Sequence, residues 1–225
     1  MTVKKIAILS PGDMGHAVGQ ALSEHGFELL TCLAGRSERT GALARDAGFR
    51  VSETLNDLVV EADLLLSILV PANAESVAQE IAQSLQETGE STLIADCNAI
   101  SPMRSEYIGR IIESAGGRYI DASIIGHPPG RGVPPRFYVS GQYADAMSDL
   151  AGKGIVVKTL GSDIGRASGI KMCYAALTKG TSTLQVALLT VAESLGLSAE
   201  LREELGYSQK AVLDNMKAVC LLLDL

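Results

Sequence analysis

The sequence predicts an α/β fold: a doubly wound, mostly parallel sheet over residues 1–161, followed by a smaller all-helical C-terminal domain over 162–225. Three observations carry this reading. Short β-prone runs alternate with amphipathic segments as far as residue 160, the pattern of βαβ units with helices on both faces of a sheet. A glycine-bearing turn, Ser10-Pro11-Gly12-Asp13-Met14-Gly15, directly follows the first β-prone run. After Gly161 strand signals stop, and Ile164, Ala167, Ile170, Leu177, Leu184, Leu188 and Val191 recur at helical spacing.

In chain order, Val3–Leu9 is apolar and β-prone, residues 12–26 read as a helix, and Phe27–Ala34 as the next strand. A helix over 40–48, a short strand FRVS, a short helix LNDLVVEA and a strongly apolar strand over Asp63–Val70 continue the alternation. A helix over Ala74–Gln86, a strand over Thr92–Cys97 and a helix after Ser101-Pro102 follow, then short strands near Tyr119, Phe137–Ser140 and Ile155–Leu160. The long helix runs from Asp163 to Leu195, with Gly180 as its weak point, and a second helical stretch ends in AVCLLLDL. Internal repeats and low-complexity tracts are absent from the sequence.

Composition excludes several classes. Although 47% of residues are hydrophobic, no apolar run approaches the roughly 20 residues needed to span a bilayer, which predicts no membrane partner. The start, MTVKKIAIL, leads straight into a strand and is read as structural rather than as a secretory leader. Cys32, Cys97, Cys173 and Cys220 are scattered in apolar surroundings, which argues against a metal site or a disulfide framework and suits a reducing cytoplasm. Nineteen basic against 26 acidic residues give a net charge of −7 without a basic stripe, so a nucleic-acid partner is unsupported.

In a strand–turn–helix of this kind the first glycine permits the tight turn, the second lets the backbone approach a pyrophosphate, and the third lets the helix pack on the strand. Ser10 takes the first place, while Gly12 and Gly15 keep the other two. Free N–H groups and the helix dipole attract phosphate there; taken alone, the same turn is also a ligand-free βα connection. The second strand supplies the context. An acidic residue about 20 positions beyond the glycines usually holds a free ribose 2′-hydroxyl, whereas arginine accommodates a 2′-phosphate. Gly35-Arg36-Ser37-Glu38-Arg39-Thr40 stands at that place, which predicts NADP rather than NAD as cofactor. Arg36 suits a bidentate phosphate contact, with hydroxyls from Ser37 and Thr40. The competing reading is a solvated helix start capped by Ser37.

With SILVP (67–71), DCNAISP (96–102), DASIIGHPP (121–129) and SGIKMCYAALTKG (168–180) added, the chain resembles the β-hydroxyacid dehydrogenase and 6-phosphogluconate dehydrogenase-like superfamily. Within it, the chain is similar to NAD(P)-dependent oxidoreductases with a phosphogluconate-dehydrogenase-like C-terminal domain. The likeness runs in order through nearly the whole chain. It implies a Rossmann-type NADP-binding domain at 1–161 and a helical domain at 162–225 that is shorter than usual for the family. It assigns Ser10, Gly12, Asp13, Met14 and Gly15 to the pyrophosphate, Arg36, Ser37 and Thr40 to the adenosine end, and Leu69, Val70 and Pro71 to the wall toward the nicotinamide.

The resemblance also implies where the substrate binds. The family's D-x-S-T segment appears with Asp96 kept and with Asn98 and Ala99 in place of serine and threonine, so Asn98 is expected to serve both cofactor and substrate. Its D-A-P-V-S-G-G segment appears as DASIIGH, which puts Ile125, Gly126 and His127 at the substrate; Ile125 replaces the carboxylate-holding serine. The catalytic lysine corresponds to Lys171, and the asparagine three residues on to Tyr174, on the same helix face. Both side chains are capable of acid–base work and of holding substrate.

The expected function is a cytoplasmic NADP-dependent oxidoreductase (a dehydrogenase or reductase acting on CH–OH) that moves a hydride between nicotinamide and a small, anionic hydroxy or oxo acid, with Lys171 as general acid/base and no metal. In GHPPGRGVPPR the alternatives are a substrate-framing loop, with Arg131 and Arg136 drawing an anion, or a solvated one. An imine reductase is the second reading, and a non-catalytic NADP(H)-binding regulatory protein the third, suggested by the changes at Ser10, Ala99 and Ile125. The apolar run Val219–Leu223 and the short helical part predict a homodimer through the helical domain.

Overall fold

The structure is a computed structural model that describes the backbone of residues 2–223 and the side chains of residues 2–216. Eight strands among the described residues form one sheet in the order β3-β2-β1-β4-β5-β6-β7-β8: β1 (Lys5–Leu9), β2 (Glu28–Cys32), β3 (Arg50–Ser52), β4 (Leu64–Ser67), β5 (Leu93–Asp96), β6 (Arg118–Ile125), β7 (Arg136–Ser140) and β8 (Val156–Thr159). All neighbours pair parallel except β6 and β7. The chain passes outward from β1 through β2 to β3, then returns to lay β4 on the other side of β1, so the winding reverses between β1 and β4. In open α/β sheets the crevice beyond the strand ends at such a reversal is where ligands bind.

Period-two patterning builds two apolar layers, one on each face of this Rossmann-type sheet. Ile6 and Ile8 of β1 join Val18, Leu22, Phe49 and Phe137 on one face. Ala7 and Leu9 join Leu30, Leu58, Ile81, Leu85 and Ile112 on the other. The covering helices are α1 (Asp13–Ser23), α2 (Glu38–Asp46), α3 (Leu55–Glu61), α4 (Ala74–Thr88) and α5 (Pro102–Ser114). Their starts follow from local chemistry: Thr54 and Asp57 form a reciprocal capping box for α3, and Ser101 caps α5 with Pro102 at its first position.

Three expectations need adjusting. The strand expected over Asp63–Val70 stops at Ser67, because its partners β1 and β5 end at Leu9 and Asp96 and Pro71 opens a 3-10 turn, Pro71–Asn73. A 3-10 segment, Ala144–Leu150, lies between β7 and β8, where no element was expected. The last helical stretch breaks at Gln209 into α7 (Ser198–Ser208) and α8 (Lys210–Leu223). The long helix α6 (Arg166–Ser194) passes Gly180 without interruption.

The chain divides into two compact units, Met1–Met172 and Cys173–Leu225. In the second, α7 and α8 meet through Gly206 and Leu213, and Lys210 pairs with Asp214 at 2.7 Å. Leu177, Leu184, Leu188 and Val191 of this unit are exposed. The side chains of Val219–Leu223 lie outside the described residues. Among the described residues no helix is long and apolar enough to cross a membrane.

Candidate functional site

The first loop obeys the geometry of a glycine turn even where glycine is missing. Ser10 adopts φ 59°, the only positive φ of a non-glycine residue among those described. Gly12 N–H closes the turn on Ser10 O at 2.6 Å. A Cβ at Gly15 would stand 3.2 Å from the Ile8 side chain and 3.3 Å from Ser10 O, so this glycine lets α1 approach β1. A Cβ at Gly12 would meet nothing nearer than Ser10 O at 3.9 Å; what that glycine keeps clear is the cleft. No side chain caps α1, which leaves its first-turn N–H groups available to an anion. Asp13, in that first turn, is paired with Arg39 at 2.7 Å, which offsets its charge beside these N–H groups.

Two hollows open on either side of this loop. Toward β4, a cleft of ≈ 230 Å³ is lined by Ser10, Gly12, Asp13, Met14 and Gly15 and, opposite, by Ile68, Leu69 and Val70. Toward β2, a pocket of ≈ 100 Å³ is lined by Leu9, Cys32, Ala34, Leu55, Val77, Glu80 and Arg36. The Nε of Arg36 is buried and has no hydrogen-bond partner. Ser37 caps α2, accepting the Thr40 N–H at 3.3 Å, and its hydroxyl lies 3.0 Å from that of Thr40. Val70 is exposed at the cleft's far side; Pro71, next in the chain, is exposed and is not among the residues that line the cleft.

Beyond the cleft, buried polar groups organise the strand ends. Asn98 is 2% exposed; its Oδ1 accepts the Leu69 N–H at 2.6 Å, and its Nδ2 donates to Asp96 Oδ1 at 2.6 Å and Ser67 Oγ at 3.2 Å. Both amide donors are thereby spent on the protein. Burial pushes the Asp96 carboxyl up to about 6, with the Asn98 N–H groups opposing and the Asp121 charge adding. The same burial pushes the Cys97 thiol and the Tyr119 phenol well up.

Asp121, one strand over, is saturated. Its Oδ1 accepts the hydroxyls of Ser105 and Ser168 at 2.9 and 2.5 Å. Its Oδ2 accepts the Ser140 hydroxyl at 2.9 Å and the N–H groups of Gly165, Ala167 and Ser168 at 2.9, 3.1 and 3.1 Å. A β6 carboxylate thus caps the start of α6. One helical turn beyond Ser168, Lys171 Nζ donates to Ile124 O at 2.7 Å. Its amine is therefore held against the end of β6.

The profile of the NAD binding domain of 6-phosphogluconate dehydrogenase matches residues 5–149. The chain belongs to this family. It is an NAD(P)-dependent oxidoreductase, and the loop, cleft and unpartnered Arg36 Nε fit a dinucleotide laid across the carboxyl edge of the sheet. An uncharacterised 28.5 kDa protein of Methanothermus fervidus is 27% identical over 201 residues, 88% of this chain and 75% of that one. A conserved protein of unknown function, whose solved structure resembles 3-hydroxyacid dehydrogenases, aligns with a TM-score of 0.76 and 27% identity over 96% of this chain and 83% of its own. A 3-hydroxyisobutyrate dehydrogenase of Mycobacterium tuberculosis shares the fold, with a TM-score of 0.69 and 21% identity over 93% and 72% of the two chains.

The structure places the sequence-predicted residues of this dehydrogenase-family chain as follows. Ser10, Gly12, Asp13, Met14, Gly15, Leu69 and Val70 line one cleft, and Arg36 lines the neighbouring pocket. Gly126 and Lys171 come together at the carboxyl end of β6, where Gly126, at φ 126°, packs against Pro135, and Ile125 is buried. His127 and Arg131 are exposed, and Pro129 and Gly130 face α1 across a groove of ≈ 140 Å³. Tyr174 belongs to the second unit and is 46% exposed. The sequence carries no local signal for the pairing of Asp13 with Arg39, 26 residues on, or for Glu80 at the pocket, far from the glycine turn in sequence. Among the described residues, no cluster of histidine, cysteine and carboxylate side chains suits a metal.

Proposed function

We propose that this oxidoreductase uses NADP to interconvert a small hydroxy acid and its oxo acid, with Lys171 as the general acid/base. The observation that carries the reading is the Lys171 ammonium held 2.7 Å from Ile124 O, at the same carboxyl edge of the sheet as the cofactor cleft. Bound NADP supplies or accepts the hydride. Ser10, Gly12, Asp13, Met14 and Gly15 hold the pyrophosphate; the orphaned Arg36 guanidinium, with Ser37 and Thr40, takes the 2′-phosphate. Leu69, Val70 and Pro71 wall the nicotinamide end, kept in place by Asn98. Gly126 and His127, with Ile125 behind them, frame the substrate. Lys171 donates a proton to the carbonyl oxygen in reduction and takes it back in oxidation, and Tyr174 assists it as a hydroxyl donor. The scattered thiols suit the cytoplasm, and the exposed Leu177, Leu184, Leu188 and Val191 support a homodimer through the helices.

NADPH consumption on a panel of oxo acids and cyclic imines tests this reading. Oxo acids are turned over, and Lys171→Ala lowers turnover by about 10²–10⁴-fold while NADPH binding persists. Preference for imines would make the protein an imine reductase. Tight NADPH binding with no consumption on either class would make it a regulatory nucleotide-binding protein. Arg36→Ala weakens NADPH binding at least about 10-fold and leaves NADH binding nearly unchanged.

A further inference from the structure

The antiparallel register of β6 and β7 determines what shares a face with the Lys171 amine. Asp121 is opposite Ser140, Ser123 opposite Tyr138, and Ile125 opposite Arg136. Opposed residues project to the same side, and alternate residues repeat that side. The 2.9 Å bond from the Ser140 hydroxyl to Asp121 fixes which side this is. It is the side on which α6 starts, because Asp121 also accepts the first N–H groups of that helix. Arg136 therefore emerges on the α6 side at the carboxyl end of β6, its Cβ about 5 Å from that of Ile125. The preceding carbonyl, Ile124 O, is the one that holds Lys171 Nζ. The two cations flank one residue, and Gly126 packed on Pro135 closes the loop tightly enough to keep Arg136 there.

Arg136 itself has no counter-charge in contact with it among the described residues. Arg136 is half-buried as a residue, and its guanidinium has no ion pair or side-chain hydrogen bond among the described residues. Its neighbours on the same face are Tyr138 and, from β8, Val156 and Lys158, which add a further cation and no carboxylate. The one carboxylate of β6 on this side, Asp121, already accepts six hydrogen bonds. In a protein of net charge −7, the unpaired guanidinium of a half-buried arginine beside a tethered ammonium is a place for an anion.

We infer that Arg136 is the carboxylate-binding, specificity-determining residue of the substrate site, so that the substrates are small acids gripped by Arg136 on their carboxylate with their reacting carbon toward Lys171. Ile125 offers no hydrogen bond at this point, and its cross-strand neighbour supplies a charged one. The inference rests on the proposed acid substrate.

The test uses malonate and its uncharged analogue malonamide, titrated by calorimetry into the NADP-loaded full chain. Malonate binds and malonamide does not; Arg136→Gln weakens malonate at least about 10-fold without altering NADP affinity, and Arg136→Lys restores part of the loss. Equal malonate affinity in wild type and Arg136→Gln overturns the inference, as does wild type that binds no malonate or fails to tell it from malonamide. Because this readout is binding, it is separable from the reaction: malonate binding that depends on Arg136 with no turnover of any acid sinks the proposed chemistry and leaves the site standing.

Discussion

Asn98 Oδ1 accepts the backbone N–H of Leu69 at 2.6 Å, so a residue just past β5 fixes the chain as it leaves β4. That chain is the far wall of the cleft beside the glycine turn, where the cofactor is proposed to lie. Asn98→Ala strands the Leu69 N–H and removes two donors to Asp96 and Ser67 in a buried setting, a loss of about 1–3 kcal/mol per unsatisfied group. We expect urea unfolding to show a drop in this range and a fluorescence titration to show weaker NADPH binding. Reduced stability with wild-type cofactor affinity would mean that the wall is held by other means.

Asp96 makes stability depend on pH in a defined direction. Its carboxyl titrates at about 6 in the fold against 3.8 for the free group, chiefly through burial. A carboxyl raised on folding contributes stability that is complete below the unfolded value and lost as pH rises through the folded one. Between about pH 4 and pH 6.5, wild type should therefore lose ~2–3 kcal/mol relative to Asp96→Asn. Glu61, held down to about 2 by Arg50 and Lys5, acts the opposite way, but only at lower pH and equally in both proteins. Denaturant unfolding of the pair across this window reads the difference; parallel pH profiles would show that Asp96 titrates normally.

Asp121 joins β6 to the helix that carries Lys171. Asp121→Asn keeps the size but turns one acceptor oxygen into a donor facing hydroxyls and N–H groups, although the Ala167 N–H also reaches Ser140 Oγ at 3.1 Å and the Ser105 hydroxyl lies 2.9 Å from that of Tyr119. We expect a loss of about 3 kcal/mol, and faster hydrogen exchange at the N–H groups of Ala167 and Ser168 than at those of β1. Unchanged exchange at those two amides would show that α6 is anchored without the carboxylate.

What the sequence made legible follows from range. The order of strands and helices is written in local periodicity, and the core strands of the Rossmann-type sheet lie close to where apolar runs predict them. The glycine turn and Arg36 belong to one βαβ unit, so their convergence on neighbouring hollows could be anticipated. The end of β4 could not: Ile68, Leu69 and Val70 are as apolar as the strand before them, and only the length of β1 and β5 stops the pairing at Ser67. Nor could the part played by Asn98, which the D-x-S-T likeness points toward cofactor and substrate and whose amide donors bond Asp96 and Ser67 instead. Arg136 was visible only as a charge in a proline-rich loop; its place beside Ile125 is set by the antiparallel register of β7, which no local pattern encodes.

Two small residues in the first βαβ unit give the last prediction, because their constraints differ in kind. Ser10 holds a backbone conformation that glycine adopts freely and that costs an L-residue about 1–2 kcal/mol. Ser10→Gly relieves that strain but adds freedom to the unfolded chain, so the two effects nearly cancel and stability moves by less than about 1 kcal/mol. Ser10→Val, β-branched and ill-suited to positive φ, should cost about 2 kcal/mol. At Gly19 the backbone is ordinary and space is the limit: a Cβ would lie 2.3 Å from the Phe49 ring, which is buried against α1. Gly19→Ala therefore costs about 1–3 kcal/mol through overpacking, and Gly19→Ala combined with Phe49→Leu recovers part of it. Thermal unfolding of these four variants and of Phe49→Leu alone separates strain from crowding; an additive double mutant would place the Gly19 effect outside the contact with Phe49.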